Sequence, residues 1–246
     1  MTSPAEMQVA TVSTPKHGAR KEPPRTSLIV AHLAKSFPSP AGATIPVLAD
    51  VSFTTFAGDT LAIMGASGAG KTTLLNVIGG LEVQDSGTVS FETDGLRGDE
   101  IKISFIFQFH YLLPDLSVLE NVSMPLLIER QPAKQARRRA ILTLEGVGLG
   151  DLLDHKIGFL SGGEQQRVAV ARSLVNEPKV ILADEPTGNL DESIAGEIGS
   201  LLTNYARQKG AIVLIATHND HLAASCDRVL TIQGGQVAER DQPGHS

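Results

Sequence analysis

The hydrophobic positions of this chain fall into short, dense clusters rather than long runs. "TLAIM" (60–64), "VILA" (180–183) and "AIVLIA" (211–216) are apolar stretches of strand length. A strand covered on both faces reads this way, whereas a strand with one wet face alternates. "SLIVAHLAKSF" and "VLADVSFTTF" predict two earlier strands, separated by a loop of Pro, Gly and Ala. "GTVSF" and "KISFIF" predict two short ones. "KTTLLNVIGGL" reads as a helix closed by Gly79 and Gly80. From about Ser117 to Leu149 the period becomes helical. "EQQRVAVARSLV" and "ESIAGEIGSLLTNYARQKG" predict two further helices, each followed by a buried strand, "KVILAD" and "AIVLIATH". "RVLTIQGGQVAER" predicts a hairpin with a Gly-Gly turn. Strands alternating with helices predict an α/β fold with a mainly parallel sheet covered on both faces. The helical stretch interrupts that alternation and predicts a helical lobe over about 117–175.

Composition narrows the partners. The chain has 246 residues, 41% of them hydrophobic, enough for one large domain or two lobes with a real core. Its formal charge of -6 gives no electrostatic case for nucleic acid. Its single cysteine, Cys226, cannot form an intrachain disulfide. No apolar run approaches the roughly 20 residues that span a bilayer. If the protein acts at a membrane, another chain must cross it. Residues 1–26 and 241–246 are expected to be disordered tails flanking a domain over 27–240. Arg137, Arg138 and Arg139 are expected to form a solvated helix face.

The candidate chemistry begins at Gly65. Gly65, Ala66, Ser67, Gly68, Ala69, Gly70, Lys71 and Thr72 fit G-x-x-x-x-G-K-[ST], between a predicted strand and a predicted helix. Glycines let successive N–H groups turn inward onto phosphate oxygens, and the helix amino terminus favours an anion. Lys71 supplies charge for the β- and γ-phosphates, and the Thr72 hydroxyl is a ligand for Mg²⁺. "VILADEPTGNLD" sets Asp184 and Glu185 at a strand's carboxyl end, where ligands bind in parallel sheets. Two adjacent acids there are costly without a cation or hydrogen bonds. Asp184 is expected to hold Mg²⁺, and Glu185 to orient and deprotonate the attacking water. His218 ends the next apolar strand. Its reading stays open between a contact to the γ-phosphate and a structural role. No His/Cys cluster has metal spacing, so zinc is not expected.

A second candidate cradle, "LSGGEQQR" from Leu160, again sets a serine and two glycines before a helix. Ser161 suits the cap of that helix, whose free N–H groups favour an anion.

The set "GASGAGKTT", Gln108, "LSGGEQQR", "LADEPTGNLD" and "ATHND" resembles the ATP-binding cassette ATPases from about Leu28 to the carboxy end. The resemblance implies a P-loop NTPase core, an antiparallel β subdomain and a helical signature lobe. It also implies a head-to-tail dimer with a second copy of the chain, binding two ATP molecules at the interface. Each ATP would rest on Gly65–Thr73 of one subunit and be covered by Ser161, Gly162 and Gly163 of the other. By the same resemblance Phe37 stacks on adenine, Gln108 reaches Mg²⁺ and the attacking water, and Asp191 communicates across the dimer. Asn219 stands where Asp is common. The segment "FIFQFHYLLPDLSVLENVSMPLLI" resembles that of the lipoprotein-releasing group, with macrolide-exporter ATPases next nearest. This implies integral membrane permease subunits as partners and a peripheral place on the cytoplasmic side of the inner membrane. The stretch 91–103 is shorter than that group predicts, and the amino-terminal tail longer. Two other readings differ in kind. A soluble cassette ATPase of repair or translation would add zinc modules, coiled coils or a second cassette. A non-catalytic scaffold would lack Glu185 or His218.

Overall fold

The three apolar stretches lie side by side. Thr60–Met64, Val180–Asp184 and Ile212–Ala216 are parallel neighbours in the middle of a six-stranded sheet. The structure, a computed structural model, describes residues 26–40, 42–93, 101–188 and 190–240. The expected tails, apart from Thr26, and most of the short 91–103 stretch lie outside the described residues.

In chain order the elements are β1 (Ser27–Pro38), β2 (Thr44–Phe56), β3 (Thr60–Met64), α1 (Lys71–Ile78), β4 (Ser86–Glu92) and β5 (Ile103–Ile106). There follow α2 (Val118–Ile128), α3 (Ala133–Gly146), α4 (Gly162–Leu174), β6 (Val180–Asp184) and α5 (Glu192–Lys209). The chain closes with β7 (Ile212–Ala216), α6 (Asp220–Ala224), β8 (Arg228–Gln233) and β9 (Gln236–Glu239). The larger sheet has the order β5-β6-β7-β3-β8-β9, parallel except for the β8–β9 hairpin. A second, antiparallel sheet has the order β2-β1-β4.

Successive side chains of a strand point to opposite faces, and both faces of the larger sheet are covered. Leu61, Ile63, Leu182 and Leu214 pack with Leu74, Leu75 and Ile78 of α1 and with Leu28 and Val51 of the antiparallel sheet. Ala62, Ile181, Val213 and Ile215 pack with Val170 of α4 and with Ile198 and Leu202 of α5. That two-sided burial is why the strands read as continuous apolar runs. One cover differs from the helices that simple alternation implies, because the antiparallel sheet shares it with α1.

A third apolar cluster joins α2, α3 and α4 through Val122, Leu126, Ala140, Leu144, Val168 and Ala171. Helix α4 serves two clusters with different faces, Val170 and Leu174 in one, Val168 and Ala171 in the other. Helix α2 opens on a capping box between Ser117 and Glu120, a device worth about 1 kcal/mol. The arginine triplet divides. Arg137 and Arg138 are exposed, but Arg139 is half-buried and donates from Nη2 to the Val175 carbonyl at 2.8 Å. Its long stem and fork tie α3 to the end of α4, so it departs from the expected solvated face. Strand β7 also ends sooner than the predicted "AIVLIATH", at Ala216. Beyond it Asn219 caps α6, a helix the pattern did not predict. Its side chain accepts from His221 N at 2.9 Å and Leu222 N at 3.1 Å, and those bonds let so short a helix start.

Candidate nucleotide site

The residues singled out in the sequence gather at the carboxyl ends of four adjacent strands. The loop 65–70 follows β3, Gln108 follows β5, Asp184 and Glu185 close β6, and His218 follows β7. Parallel pairing brings these ends to one edge.

Gly70 is the pivot of the loop. It caps α1 with φ 105°, and a Cβ there would lie 3.0 Å from both the Val47 carbonyl and its side chain. Only glycine suits that angle and that gap. Because glycine brings no side-chain cap, the first N–H groups of α1 remain available to an anion. Ala66, Ser67, Gly68 and Thr72 are exposed around them, while Gly65, Ala69 and Thr73 are half-buried. Lys71 is buried, and its ammonium turns back into the loop. It donates to the carbonyls of Gly65 at 2.9 Å and Ala66 at 3.2 Å, and lies 3.7 Å from Glu185 Oε1.

Glu185 lies between two nitrogen-bearing side chains. Its Oε1 faces Lys71, and its Oε2 lies 3.0 Å from His218 Nδ1 and accepts the His218 backbone N–H at 3.4 Å. Its backbone has φ 46°, and its N–H donates to the Ala216 carbonyl at 2.8 Å. A left-handed conformation at a non-glycine residue costs on the order of 1 kcal/mol or more and persists where the surroundings over-determine it. Here the bonds to the end of β7 and to His218 supply that constraint.

Asp184 has a different environment. Burial holds its pKa above the ordinary carboxylate value, and the nearby charge of Glu185 adds to the effect. A hydrogen bond from Thr72 and the charge of Lys71 pull the other way. Its Oδ1 is buried with no hydrogen-bond partner. A buried carboxylate oxygen left unpaired beside a hydroxyl suits a hard divalent cation, which takes oxygen ligands. Gln108 approaches the same turn. A Cβ on Gly188 would lie 3.0 Å from Gln108 Nε2 and 3.5 Å from the Glu185 carbonyl. Gly188 was not singled out in the sequence, although it stands inside "DEPTGNLD".

The second cradle hangs on the helical lobe. Ser161 caps α4 and is exposed. Glu164 Oε2 accepts from Ser161 N at 2.7 Å and from Ser161 Oγ at 2.8 Å, while Ser161 Oγ accepts from Glu164 N at 3.3 Å. Glu164 was also not singled out, although S-x-x-E is the sequence signal of a capping box. The two glycines differ. A Cβ on Gly163 would lie 2.6 Å from Ile194 of α5, whereas one on Gly162 would meet nothing nearer than Leu190 at 3.9 Å. Asp191 caps α5 by accepting from Ile194 N at 3.0 Å. It therefore fixes the helix whose Ile194 faces Gly163. Phe37 is half-buried on β1 in the antiparallel sheet, with the Lys35 ammonium 4.9 Å from its ring centroid.

Three comparisons bear on this geometry. Residues 48–188 match the ABC transporter family. The chain is 44% identical over 220 residues to the lipoprotein-releasing system ATP-binding protein LolD of Bordetella pertussis, covering 86% of this chain and 95% of that protein. It is 41% identical over 244 residues to the protein of the same description from Xanthomonas oryzae pv. oryzae, covering 95% of this chain and 97% of the relative. Among solved structures, it is similar to the dimeric post-hydrolysis state of the ATP-binding cassette MJ0796 bound to ADP and Pi. That match has a TM-score of 0.77 and 35% identity, over 88% of this chain and 99% of the other.

Proposed function

The chain belongs to the ABC transporter family as an ATP-binding, ATP-hydrolysing subunit, and on that premise we propose that it drives lipoprotein release through separate membrane subunits. The cargo rests on the relatives' description and on the segment after Gln108. The observation that carries the catalytic reading is Glu185, half-buried between Lys71 and His218 beside the phosphate loop.

In this reading the Gly65–Thr73 loop binds the phosphates of ATP, and Phe37 stacks on adenine. Asp184, Thr72 and Gln108 hold Mg²⁺. The unpartnered Asp184 Oδ1 and the Thr72 hydroxyl beside it support that placement. When bound, the metal supplies charge neutralisation for the phosphates. Glu185 orients the attacking water and accepts its proton, and His218 holds the Glu185 carboxylate in place. Ser161, Gly162 and Gly163 cover the nucleotide of a second copy, and Asp191 links the two sites. Two sites split between two chains make hydrolysis conditional on assembly.

The domain runs over 27–240, with the lobe 117–175 carrying the second cradle. No helix among the described residues is long and apolar enough to cross a membrane. In this reading the work is passed to integral membrane permease subunits, with this chain peripheral on the cytoplasmic side of the inner membrane. Phe109, Tyr111 and Leu113 are exposed directly after Gln108 and form the surface for that partner. Purification of the native complex tests the assignment. A membrane permease should co-purify with the chain, and Tyr111→Glu should abolish its recovery while ATP binding persists. Recovery of a macrolide-exporter permease instead would replace lipoprotein as the cargo.

A further inference from the structure

Lys35 belongs to none of the motifs, yet four groups converge on its ammonium. It donates to the Val83 carbonyl at 2.8 Å, pairs with Glu82 Oε1 at 2.8 Å and lies 3.7 Å from Asp85 Oδ1. The same nitrogen stands 4.9 Å from the centroid of the Phe37 ring. Its side chain is only 12% exposed, which is low for a lysine.

The sheet register explains why this clamp exists. β1 pairs with β4 only as far as Ala34 opposite Ser86. Lys35, Ser36 and Phe37 continue along β2, through register shifts between Leu33 and Lys35 and between Lys35 and Ser36. On their other side the loop between α1 and β4 takes over from β4. Asp85 N donates to the Ala34 carbonyl at 2.9 Å, and Ser36 N donates to Asp85 Oδ2 at 2.7 Å. That loop hangs from α1, because the N–H groups of Leu81 and Glu82 donate to the Asn76 carbonyl at 2.8 and 3.2 Å. A continuous path of contacts thus runs from Lys71, at the start of α1, through Asn76, Glu82 and Lys35 to the Phe37 ring.

We propose that Lys35 is a positioning residue that sets the Phe37 ring for the adenine base and fixes its distance from the phosphate loop through α1. The inference rests on the reading of Phe37 as the base platform. A cation within about 6 Å of a ring centroid is held by the ring's negative face. In this proposal Lys35 takes one face of the ring and the base would take the other. The ion pairs alone contribute little at a surface, so what the cluster adds is the orientation of the aromatic ring.

Calorimetry on the full chain with Mg²⁺ separates base from phosphate recognition, with ATP and inorganic triphosphate as the two probes. Lys35→Met should weaken ATP binding about two- to fivefold, the size of an exposed cation–π contact, and leave triphosphate binding as it was. The effect should fall on KM for ATP rather than on kcat, and Lys35→Arg should restore it. Phe37→Leu should weaken ATP selectively, and adding Lys35→Met to it should change nothing further. If Phe37→Leu leaves ATP affinity intact, the base-platform reading falls and this inference with it. If Phe37→Leu acts as expected but Lys35→Met is silent, or weakens ATP and triphosphate alike, only the role of Lys35 is overturned. Should Lys35→Met not fold, Lys35→Gln removes the same charge from the Phe37 ring while keeping a polar side chain, and must show the same split.

Discussion

His218 Nδ1 lies 3.0 Å from Glu185 Oε2, although 33 residues separate them in the chain. Glu185 is 15% exposed and His218 68% exposed, so the carboxylate sits inside the site and the imidazole at its mouth. The pair sits where β6 and β7 run side by side, with Asp184 opposite Ala216. Glu185→Gln keeps the volume and the backbone bond to Ala216 but removes the carboxylate assigned as the base. Steady-state phosphate release should fall by about 10²–10⁴-fold, the range of general base catalysis, and the ATP-bound dimer should accumulate in light scattering. Wild-type phosphate release would reject Glu185 as the base.

Lys71→Ala acts earlier, on binding itself. The ammonium held by the Gly65 and Ala66 carbonyls is the buried positive charge of the phosphate loop. Loss of a charge-assisted hydrogen bond costs about 1.5–3 kcal/mol. ATP affinity measured by calorimetry should drop roughly 10- to 100-fold. Unchanged affinity would place the nucleotide elsewhere.

Asp184 predicts a pH-dependent trade of stability for function. Its pKa in the fold is raised, chiefly by burial. At pH values above that raised pKa the carboxylate is ionised in the folded and unfolded chain alike, and the fold alone bears the desolvation cost. Below the ordinary carboxylate pKa it is protonated in both states, and the cost vanishes. Asp184→Asn should therefore raise the melting temperature of the nucleotide-free protein at neutral pH. The gain should shrink as pH falls towards the ordinary carboxylate range. The same variant should lose Mg²⁺-dependent turnover. A lower melting temperature at neutral pH would contradict the assignment of a destabilising carboxylate.

The adjacent signature glycines should part company on substitution. Gly163→Ala drives a methyl group to within 2.6 Å of Ile194. The Cδ1 tip can rotate away but Cγ2, at 3.1 Å, must also give, so the overpacking should cost about 1 kcal/mol, seen as a fall of a few degrees in melting temperature. Gly162→Ala has room in the monomer and should melt like the wild type. Its methyl group should hinder the partner's nucleotide, so dimer formation with ATP should weaken. Equal melting losses in both variants would remove the distinction.

The sequence by itself determined what depends on neighbours along the chain. "TLAIM" followed by Gly65–Thr72 reads as a buried strand, a glycine-rich turn and a helix start, because the glycines and the helix start are local requirements. The apolar runs of β3, β6 and β7 announced two covered faces for the same reason. The β8–β9 hairpin followed from its Gly-Gly turn. The tertiary structure decided what depends on which strands become neighbours. The order β5-β6-β7-β3 brings Gln108, Glu185, His218 and Lys71 to one edge, and no spacing in the chain encodes that order. It also decided that Gly163 is a packing residue and Gly162 is not, that Arg139 ties α3 to α4, and that Lys35 lies over Phe37. Each of these turns on a contact of a few ångströms between segments distant in sequence. Such contacts are fixed by how whole layers pack, since packed side chains have few alternative positions once their layers are set.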